Sequence, residues 1–355
     1  MVTNRPDTMK AAILVAQRQP LHVAQVTLPD RLEYGQVLTQ IYYSGICGSQ
    51  IGEIDGVKGE DRFLPHLLGH EGSGRVLEVG PGVKHVKPGD YVVLHWMKGQ
   101  GIEAALPSYQ WPQGRVNAGW VTTFSEYAVV SENRVTVIPP DLDLEVAPLF
   151  GCAVTTGLGV INNNAKVKIG ESVVVFGAGG IGLNVIQGAA LVSAYPIVAV
   201  DLFDNKLEMA QKFGATHLIN SRKADPRAEI TKIIRGPGAD VAVDNTGNVE
   251  VIQLAYELTH PKGRTILVGV PPKGNNVSIY SLPLHFGKVL TGSHGGETNP
   301  TEDIPRYVQL YQSGKLLLKE MITDRFTLDE INVAIDKMRR GEIRGRCLIE
   351  IGPRS

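Results

Sequence analysis

The sequence predicts an α/β protein in which a β-rich domain precedes a doubly wound parallel sheet. Three observations carry this prediction. Short apolar runs broken by glycine and proline fill the first third of the chain, and apolar runs alternate with helical patterns after about Gly151. A glycine-rich turn also joins the first strand and helix of that second region. Alternating strands and helices are typical of a parallel sheet with helices on both faces.

Size and composition indicate a globular protein of two domains. The chain has 355 residues, of which 43% are hydrophobic and 20% charged, and it exceeds the usual length of one domain. Its formal net charge is −1, so no excess of cations neutralises phosphates, and we expect no nucleic-acid partner. Three cysteines are too few for a disulfide framework.

No membrane partner is expected. The first ten residues, MVTNRPDTMK, have no apolar run and no cleavage pattern, so no secretory signal is predicted. The longest apolar region, residues 172–200, is broken by several glycines and Pro196, which indicates strand, turn, helix and strand. We therefore expect a cytoplasmic protein.

The β-rich domain is predicted over residues 1–153 and is completed by residues 295–355. Its first strands are predicted at 10–15, 36–43, 74–79 and 90–94, with Pro-Gly turn signals at 81–82 and 88–89. The closing segment is predicted to contain helices at 304–314 and 328–341 and a last strand at 346–351.

The doubly wound domain is predicted over residues 154–294. A β-branched run at 172–176 and a second buried run at 197–201 flank a helical pattern at 181–191. The alternation continues with a helix at 207–213 and strands at 241–244 and 265–270. This order is that of a parallel sheet with crossover helices.

The turn after the first of these strands has the spacing of a dinucleotide-binding turn. Gly177, Gly179 and Gly182 form a G-x-G-x-x-G pattern that follows a strand and opens a helix. Gly177 permits the tight turn, Gly179 lets the backbone approach a pyrophosphate, and Gly182 lets helix and strand pack closely. Asp201 ends the next strand, where a carboxylate accepts from ribose hydroxyls and repels a 2′-phosphate, so NAD is favoured over NADP. A bare glycine turn and a flavin site are the alternatives.

Three residues with soft-metal side chains lie in glycine-rich settings. Cys47 lies in GICGS, His70 in GHE, and Cys152 directly follows Gly151. Two thiolates and one imidazole match a catalytic zinc site with an open fourth position. A buried cysteine is also commonly an inert small hydrophobe, so on these residues alone both interpretations stay open.

Several longer stretches together resemble one enzyme family, the zinc-containing medium-chain dehydrogenases/reductases of the alcohol and polyol dehydrogenase type. The stretches are GICGS at 45–49, GHEGSGRVLEVG at 69–80, VKPGDYVV at 86–93, GCAVTTGLGV at 151–160, VVVFGAGGIGLNVIQGA at 173–189, DVAVDNTG at 240–247 and GEIRG at 341–345. The resemblance covers residues 9–351. It implies a GroES-like catalytic domain and a Rossmann NAD-binding domain, with the active site in the cleft between them.

The resemblance also assigns roles at the metal. It implies that Cys47, His70 and Cys152 hold one catalytic zinc ion and that Glu71 is a nearby carboxylate able to approach it. Arg344 matches the arginine that pairs with this carboxylate. Ser49 matches the hydroxyl that takes the proton of the substrate.

At the cofactor, the resemblance implies contacts along the whole nucleotide. The matching positions are Thr156 and Ile181 at the nicotinamide, the turn of Gly177, Gly179, Gly180 and Gly182 at the pyrophosphate, Asp201 and Lys206 at the adenosine ribose, Thr246 at the adenine, and Val268, Gly269 and Val270 at the carboxamide.

The chain departs from its relatives in two places. The cysteine-rich lobe that holds a structural zinc in many of them is absent, so we expect one zinc ion per chain. Many relatives read Cys-Gly-Ser-Asp-x-His, whereas this chain has Gln50 and Gly52 in place of the acid and the histidine. The relay histidine is therefore missing, and proton exit needs another route.

The substrate is predicted from the region that replaces the lost lobe. All three tryptophans fall between residues 95 and 121, and His95, Trp96, Arg115 and Trp120 are the candidate substrate residues. Aromatic and hydrogen-bonding groups together suit a secondary alcohol of a polyol, cyclitol or sugar-like metabolite. The same residues could equally pack a loop or a subunit contact.

Other functions stay open. These are a dehydrogenase of simple alcohols or of an amino alcohol such as threonine, a catalytically silent relative, and a zinc-free quinone reductase. The resemblance further implies a homodimer or homotetramer formed through the edge of the parallel sheet, for which residues 277–284 are the candidate strand.

Overall fold

The computed structural model describes residues 5–352 and divides them into two compact units. The first unit runs up to Cys152 and resumes over Asn299–Gly314 and from Leu318 onward, and the second is Ala153–Thr298 with Lys315–Leu317. The second unit thus extends past the predicted limit at 294. The predicted limits at 1 and 355 lie outside the described residues.

The first unit is built from short strands. In chain order its elements before the second unit are β1 (Thr8–Leu14), β2 (His22–Thr27), β3 (Gln36–Ile46), α1 (Gly48–Ile54), β4 (His66–Leu67), β5 (Glu71–Val79), β6 (Tyr91–His95), β7 (Ser108–Trp111), β8 (Gly114–Asn117), β9 (Tyr127–Ser131) and β10 (Val135–Val137). Strands β1, β2, β7, β8 and β4 form a closed barrel. Tyr109 and Val116 lie in its apolar core without solvent exposure.

The second unit alternates strands and helices. Its elements are α2 (Ala153–Gly159), β11 (Val173–Phe176), α3 (Gly180–Leu191), β12 (Ile197–Asp201), α4 (Asp204–Lys212), β13 (His217–Asn220), α5 (Pro226–Ile233), β14 (Ala239–Asp244), α6 (Val249–Leu258), β15 (Thr259–Leu267) and β16 (Val289–Gly292). The strand order is β13-β12-β11-β14-β15-β16, and neighbours are parallel throughout. Counted from β11, this is the 3-2-1-4-5-6 order of dinucleotide-binding sheets.

The end of the chain returns to the first unit. It forms α7 (Pro300–Gln312), β17 (Ile322–Thr327), α8 (Ile331–Arg339) and β18 (Arg346–Glu350). Strand β18 pairs with β3 in antiparallel register, with Cys347 opposite Ile46. The second sheet of the first unit therefore runs β10-β6-β5-β3-β18-β17, with β9 also paired to β3. This pairing brings the start of β18 beside the end of β3, one residue before Cys47.

The predicted fold class is confirmed, but the predicted edge strand at 277–284 is wrong. Those residues are irregular and then enter a 3₁₀ turn, Leu282–Phe286. The edge of the sheet is instead β16, which begins at Val289. Pro283 lies in the first turn of this 3₁₀ segment, where its fixed φ is compatible with the turn. Among residues 5–352, no helix has the length and apolar content needed to cross a bilayer.

Candidate metal and dinucleotide sites

Cys47, His70 and Cys152 meet in the first unit, each at the end of a regular element. Cys47 lies between β3 and α1, His70 lies directly before β5, and Cys152 follows a 3₁₀ turn, Ala147–Gly151. Their ligand atoms all lie within 4.8 Å of one another, although the residues are as far as 105 positions apart in the chain. Only the pairing of distant strands produces this cluster.

The cluster fits a tetrahedral metal ion. The sulfur atoms of Cys47 and Cys152 are 4.0 Å apart, close to the roughly 3.8 Å expected for two thiolates on one zinc ion. Nε2 of His70 is buried and has no hydrogen-bond partner among the described residues. A buried polar atom without a partner is costly, so a metal ion at this position removes a penalty that the free cluster carries.

The surroundings favour the thiolate form of Cys47. The hydrogen bond with the Cys152 thiol is the largest influence and holds the pKa of Cys47 well below its ordinary value. Burial acts in the opposite direction, and His70 and Arg346 lower this pKa further. Both cysteines are about 95% buried, which limits competition from water. A thiolate is the form of cysteine that binds metal.

Glu71 lies directly behind this cluster in a space that two glycines leave open. A Cβ atom on Gly45 would lie 2.6 Å from a carboxylate oxygen of Glu71, and one on Gly151 would lie 3.0 Å from its Cβ atom. Glu71 is fully buried and forms an ion pair with Arg346, which is itself only 4% exposed. The fixed opposite charge makes a buried carboxylate tolerable at this position.

The dinucleotide turn lies in the second unit between β11 and α3. Gly177 has φ +88°, a conformation that glycine adopts without strain. A Cβ atom on Gly182 would overlap the carbonyl oxygen of Gly177, whereas one on Gly179 would meet no atom within 4 Å. Gly180 and Ile181 form the first turn of α3, whose free N–H groups suit a pyrophosphate.

Asp201 ends β12 beside this turn. Its carboxylate accepts hydrogen bonds from the backbone N–H groups of Ala178 and Phe203, at 2.8 and 3.1 Å. Lys206 and Arg222 lie over the ring of Phe203, with Nζ and Cζ at 5.2 and 4.5 Å from its centre. The edge where a ribose would lie thus combines one carboxylate with two cations.

The remaining cofactor positions surround the ends of β14 and β15. The backbone N–H groups of Val268 and Gly269 donate to the carbonyl of Asp244, and Val270 is exposed. The Thr246 hydroxyl donates to the carboxylate of Asp244 at 2.6 Å. Burial is the main influence on Asp244 and raises its pKa, while its hydrogen bonds act in the opposite direction. Thr156 is buried on α2.

Comparison with known proteins identifies the family. The alcohol dehydrogenase GroES-like domain matches residues 33–140, and the zinc-binding dehydrogenase domain matches residues 180–313. S-(hydroxymethyl)glutathione dehydrogenase of Paracoccus denitrificans is 37% identical, over 94% of this chain and 97% of that protein. A class-3 alcohol dehydrogenase of Cereibacter sphaeroides is 36% identical over the same shares. The chain belongs to the zinc-containing medium-chain dehydrogenase/reductase family.

Solved structures agree with this assignment. Benzyl alcohol dehydrogenase from Acinetobacter calcoaceticus superimposes with a TM-score of 0.88, at 28% identity, over 98% of this chain and 100% of that one. The resemblance drawn from the sequence is thereby confirmed, and the chain is an alcohol dehydrogenase by family. The family binds zinc and NAD, which agrees with the thiol–imidazole cluster and the glycine turn.

The expected partner of Glu71 was wrong. Arg344 is exposed, and Arg346, the first residue of β18, forms the ion pair. The error has a simple cause, because the GEIRG motif precedes the strand and only the pairing of β18 with β3 decides which side chain reaches Glu71. No periodic pattern in this part of the sequence distinguishes the two arginines.

No contact with the metal-ligand cluster is seen for three of the four candidate substrate residues, His95, Arg115 and Trp120, among the contacts that the structure describes for them. His95 is 1% exposed, with its ring nitrogens 2.8 Å from the Met97 carbonyl and 2.9 Å from the Thr136 hydroxyl, and burial lowers its pKa to about 4. Arg115 is exposed on the β7–β8 hairpin, and Trp120 packs under the guanidinium of Arg134. Trp96 does lie at the site, with its ring centre 6.5 Å from that of His70.

Sequence reasoning also missed residues that shape these sites. Arg346 and Arg222 lie outside every motif named above, and Asp244 lies within the DVAVDNTG stretch without having been assigned a role. Arg222 is 21 residues beyond Asp201 in the chain and is brought to the same edge by the parallel pairing of β12 and β13. The rule that the carboxyl ends of neighbouring parallel strands meet at one edge could have suggested it.

Proposed function

We propose that this protein is a zinc-dependent dehydrogenase that transfers hydride between NAD and an alcohol or the corresponding carbonyl compound. The single observation that carries the proposal is the convergence of two buried thiols on the unpartnered Nε2 of His70. Cys47, His70 and Cys152 would hold the zinc ion, which polarises the alcohol oxygen when bound. The turn at Gly177–Gly182 and Asp201 would hold NAD, which accepts the hydride.

The surrounding residues have distinct tasks in this proposal. Ser49 is exposed two positions after Cys47 and would receive the alcohol proton. Glu71 and Arg346 form a buried ion pair without net charge behind the metal ligands. This pair would fix the orientation of the ligand side chains. Gln50 cannot take up a proton, so protons leave through Ser49 to solvent.

For the substrate, we propose an alcohol whose body packs on Trp96. Trp96 is the indole next to His70, and a flat apolar surface there suits an aromatic or aliphatic alcohol. The polar secondary alcohol expected from the sequence is supported by fewer groups, since His95 has both nitrogens engaged. The relative that acts on S-(hydroxymethyl)glutathione makes a hydroxymethyl thioether the second candidate.

We further propose one firmly held zinc ion per chain and no structural zinc. The third cysteine, Cys347, is fully buried on β18, and burial raises the pKa of its thiol to about 12. A thiol that stays protonated is a poor metal ligand.

We also propose that copies of the chain associate through the edge of the parallel sheet. Beside β16 lie exposed apolar side chains, of which Tyr280 and Phe286 are 70% and 71% exposed. Large exposed apolar groups next to an unpaired strand are typical of an interface. Light scattering tests this by measuring the molar mass of the wild-type protein and of Phe286→Asp in solution. A monomer mass for both proteins would contradict the proposal.

Reduction of NAD by zinc-loaded protein tests the main proposal. The panel contains benzyl alcohol, short alkanols, formaldehyde with glutathione, a polyol, a cyclitol and threonine, each with NAD and with NADP. Turnover of benzyl alcohol or alkanols that falls in Trp96→Ala supports the Trp96 surface, and Trp120→Ala is the matched control. Binding of zinc and NAD without turnover of any compound would favour a catalytically silent relative.

A further inference from the structure

A second cluster of ligand-type side chains lies in the first unit, apart from the thiols. Glu53, Asp61 and His66 bring a carboxylate, a carboxylate and an imidazole within 4.8 Å of one another. Glu53 is on α1, Asp61 is in the following loop, and His66 opens β4. None of these residues has a role in the reaction proposed above.

A hydrogen bond to the backbone orients the imidazole ring of His66 toward the two carboxylates. Nδ1 of His66 lies 2.9 Å from the carbonyl oxygen of Leu67, so Nδ1 carries the proton and donates it. Nε2 is hydrogen-bonded to an Asp61 carboxylate oxygen at 2.7 Å and lies 4.0 Å from Glu53. Metal-binding histidines usually donate their other ring N–H to a carbonyl or carboxylate, as Nδ1 does here, and a bound cation would take the place of the hydrogen between Nε2 and Asp61.

The cluster is held in a preformed scaffold. The His66 side chain is 9% exposed and the Asp61 side chain 10%. The Gln17 side chain ties the loop by accepting from Asp61 N–H and donating to the Gly59 carbonyl. The buried Gln50 amide donates to Glu53 at 3.1 Å. Such support limits the rearrangement that ligand binding requires to the side chain of Glu53.

The charge of the cluster indicates which ligand it would bind. Glu53 and Asp61 set two carboxylates beside one imidazole. A divalent cation would balance the charges of the two carboxylates. At bond lengths near 2.1 Å, neighbouring ligand atoms lie about 3.0–3.4 Å apart. This spacing falls between the two observed distances from Nε2, 2.7 Å to Asp61 and 4.0 Å to Glu53. Glu53, whose side chain is 39% exposed, can make the adjustment and leaves room for water ligands.

We propose that Glu53, Asp61 and His66 form an exchangeable binding site for a divalent cation of the Mn²⁺ type. Two oxygen ligands and one nitrogen ligand suit a harder ion than the thiolate cluster does. The bound cation ties the loop at 55–65 to α1. The site is independent of the firmly held zinc ion, because it shares no ligand with Cys47, His70 and Cys152.

Titration of zinc-loaded protein with Mn²⁺, followed by the EPR signal of the free ion, tests the proposal. We expect one equivalent of Mn²⁺ to bind and the thermal midpoint to rise with its concentration. Glu53→Gln, Asp61→Asn and His66→Gln should each weaken Mn²⁺ binding by about tenfold or more while leaving one zinc ion per chain. Excess Zn²⁺ should release the bound Mn²⁺.

The matched control is the double variant Glu208→Gln/Glu250→Gln, which removes two exposed carboxylates elsewhere and should bind Mn²⁺ like wild type. Glu53→Gln is the decisive variant because Glu53 is the most exposed ligand and the least needed for folding. Absence of Mn²⁺ binding to wild type, or equal binding by wild type and Glu53→Gln, would overturn the proposal and leave His66 as the partner of an ion pair.

Discussion

The carboxylate of Glu71 and the guanidinium of Arg346 form a buried ion pair behind the metal-ligand cluster. Glu71 follows the ligand His70 in sequence, whereas Arg346 comes from the last strand of the chain. The pair thus joins the two ends of the first unit at its functional centre. Removing one partner of such a pair leaves an uncompensated buried charge.

Arg346→Met should therefore lower the free energy of unfolding by about 3–5 kcal/mol, measured by urea unfolding of zinc-loaded protein. The double variant Glu71→Gln/Arg346→Met should recover much of the loss because it leaves no buried charge. Arg344→Met is the matched control and should change stability by no more than about 0.5 kcal/mol. A larger effect at position 344 than at 346 would contradict the observed pairing.

Cys47→Ser and His70→Ala should lose zinc and turnover but retain NAD binding. The metal cluster and the glycine turn lie in different units, so loss of the ion leaves the turn intact. Elemental analysis and titration of NAD by calorimetry measure the two properties separately. Cys347→Ala serves as the control and should keep one zinc ion per chain. Full turnover by zinc-free Cys47→Ser would refute the zinc assignment.

Gly182→Ala and Gly179→Ala should differ sharply in their effects. A methyl group at 182 overlaps the Gly177 carbonyl, so Gly182→Ala should lower the thermal midpoint even without cofactor. A methyl group at 179 meets no atom within 4 Å, so Gly179→Ala should fold like wild type and bind NAD at least about tenfold more weakly. Normal NAD binding by Gly179→Ala would place the pyrophosphate elsewhere.

Asp201→Ala should shift cofactor preference toward NADP. The change removes the charge that opposes a 2′-phosphate and leaves Lys206 and Arg222 near Phe203 on the same edge. We expect the ratio of kcat/KM with NAD to kcat/KM with NADP to fall by about tenfold or more. The reason is that repulsion between a carboxylate and a 2′-phosphate costs at least about 1.4 kcal/mol of binding free energy. Asp204→Asn, on the neighbouring helix, is the control. An unchanged ratio would mean that another residue reads the ribose.

His95 should make the protein sensitive to acid. Burial lowers its pKa to about 4 in the folded protein, against 6.5 for an unburied histidine, so the unfolded chain binds the additional proton between these values. Stability is therefore complete above about pH 6.5 and falls as the pH decreases toward 4, by about 3 kcal/mol in total. His95→Gln should reduce this slope relative to wild type in urea unfolding at pH 7, 6 and 5. Parallel curves would contradict a neutral, buried His95.

Local sequence was enough to predict the elements that depend on neighbouring residues. The glycine turn, its preceding strand and following helix, and the acid that ends β12 all lie within 30 residues, and the alternation of strands and helices gives the sheet type directly. The family motifs likewise identified Cys47, His70 and Cys152. Each of these features is a short-range pattern of residue types.

Tertiary structure decided what depends on strand pairing and burial. The register of β18 against β3 brings Arg346 rather than Arg344 to Glu71, and tertiary packing brings the ring of Trp96 to that of His70. The cluster of Glu53, Asp61 and His66 likewise exists only because the loop between α1 and β4 folds back on the helix. Side-chain neighbours of this kind follow from which distant backbones pair, and no local pattern of residues encodes that choice.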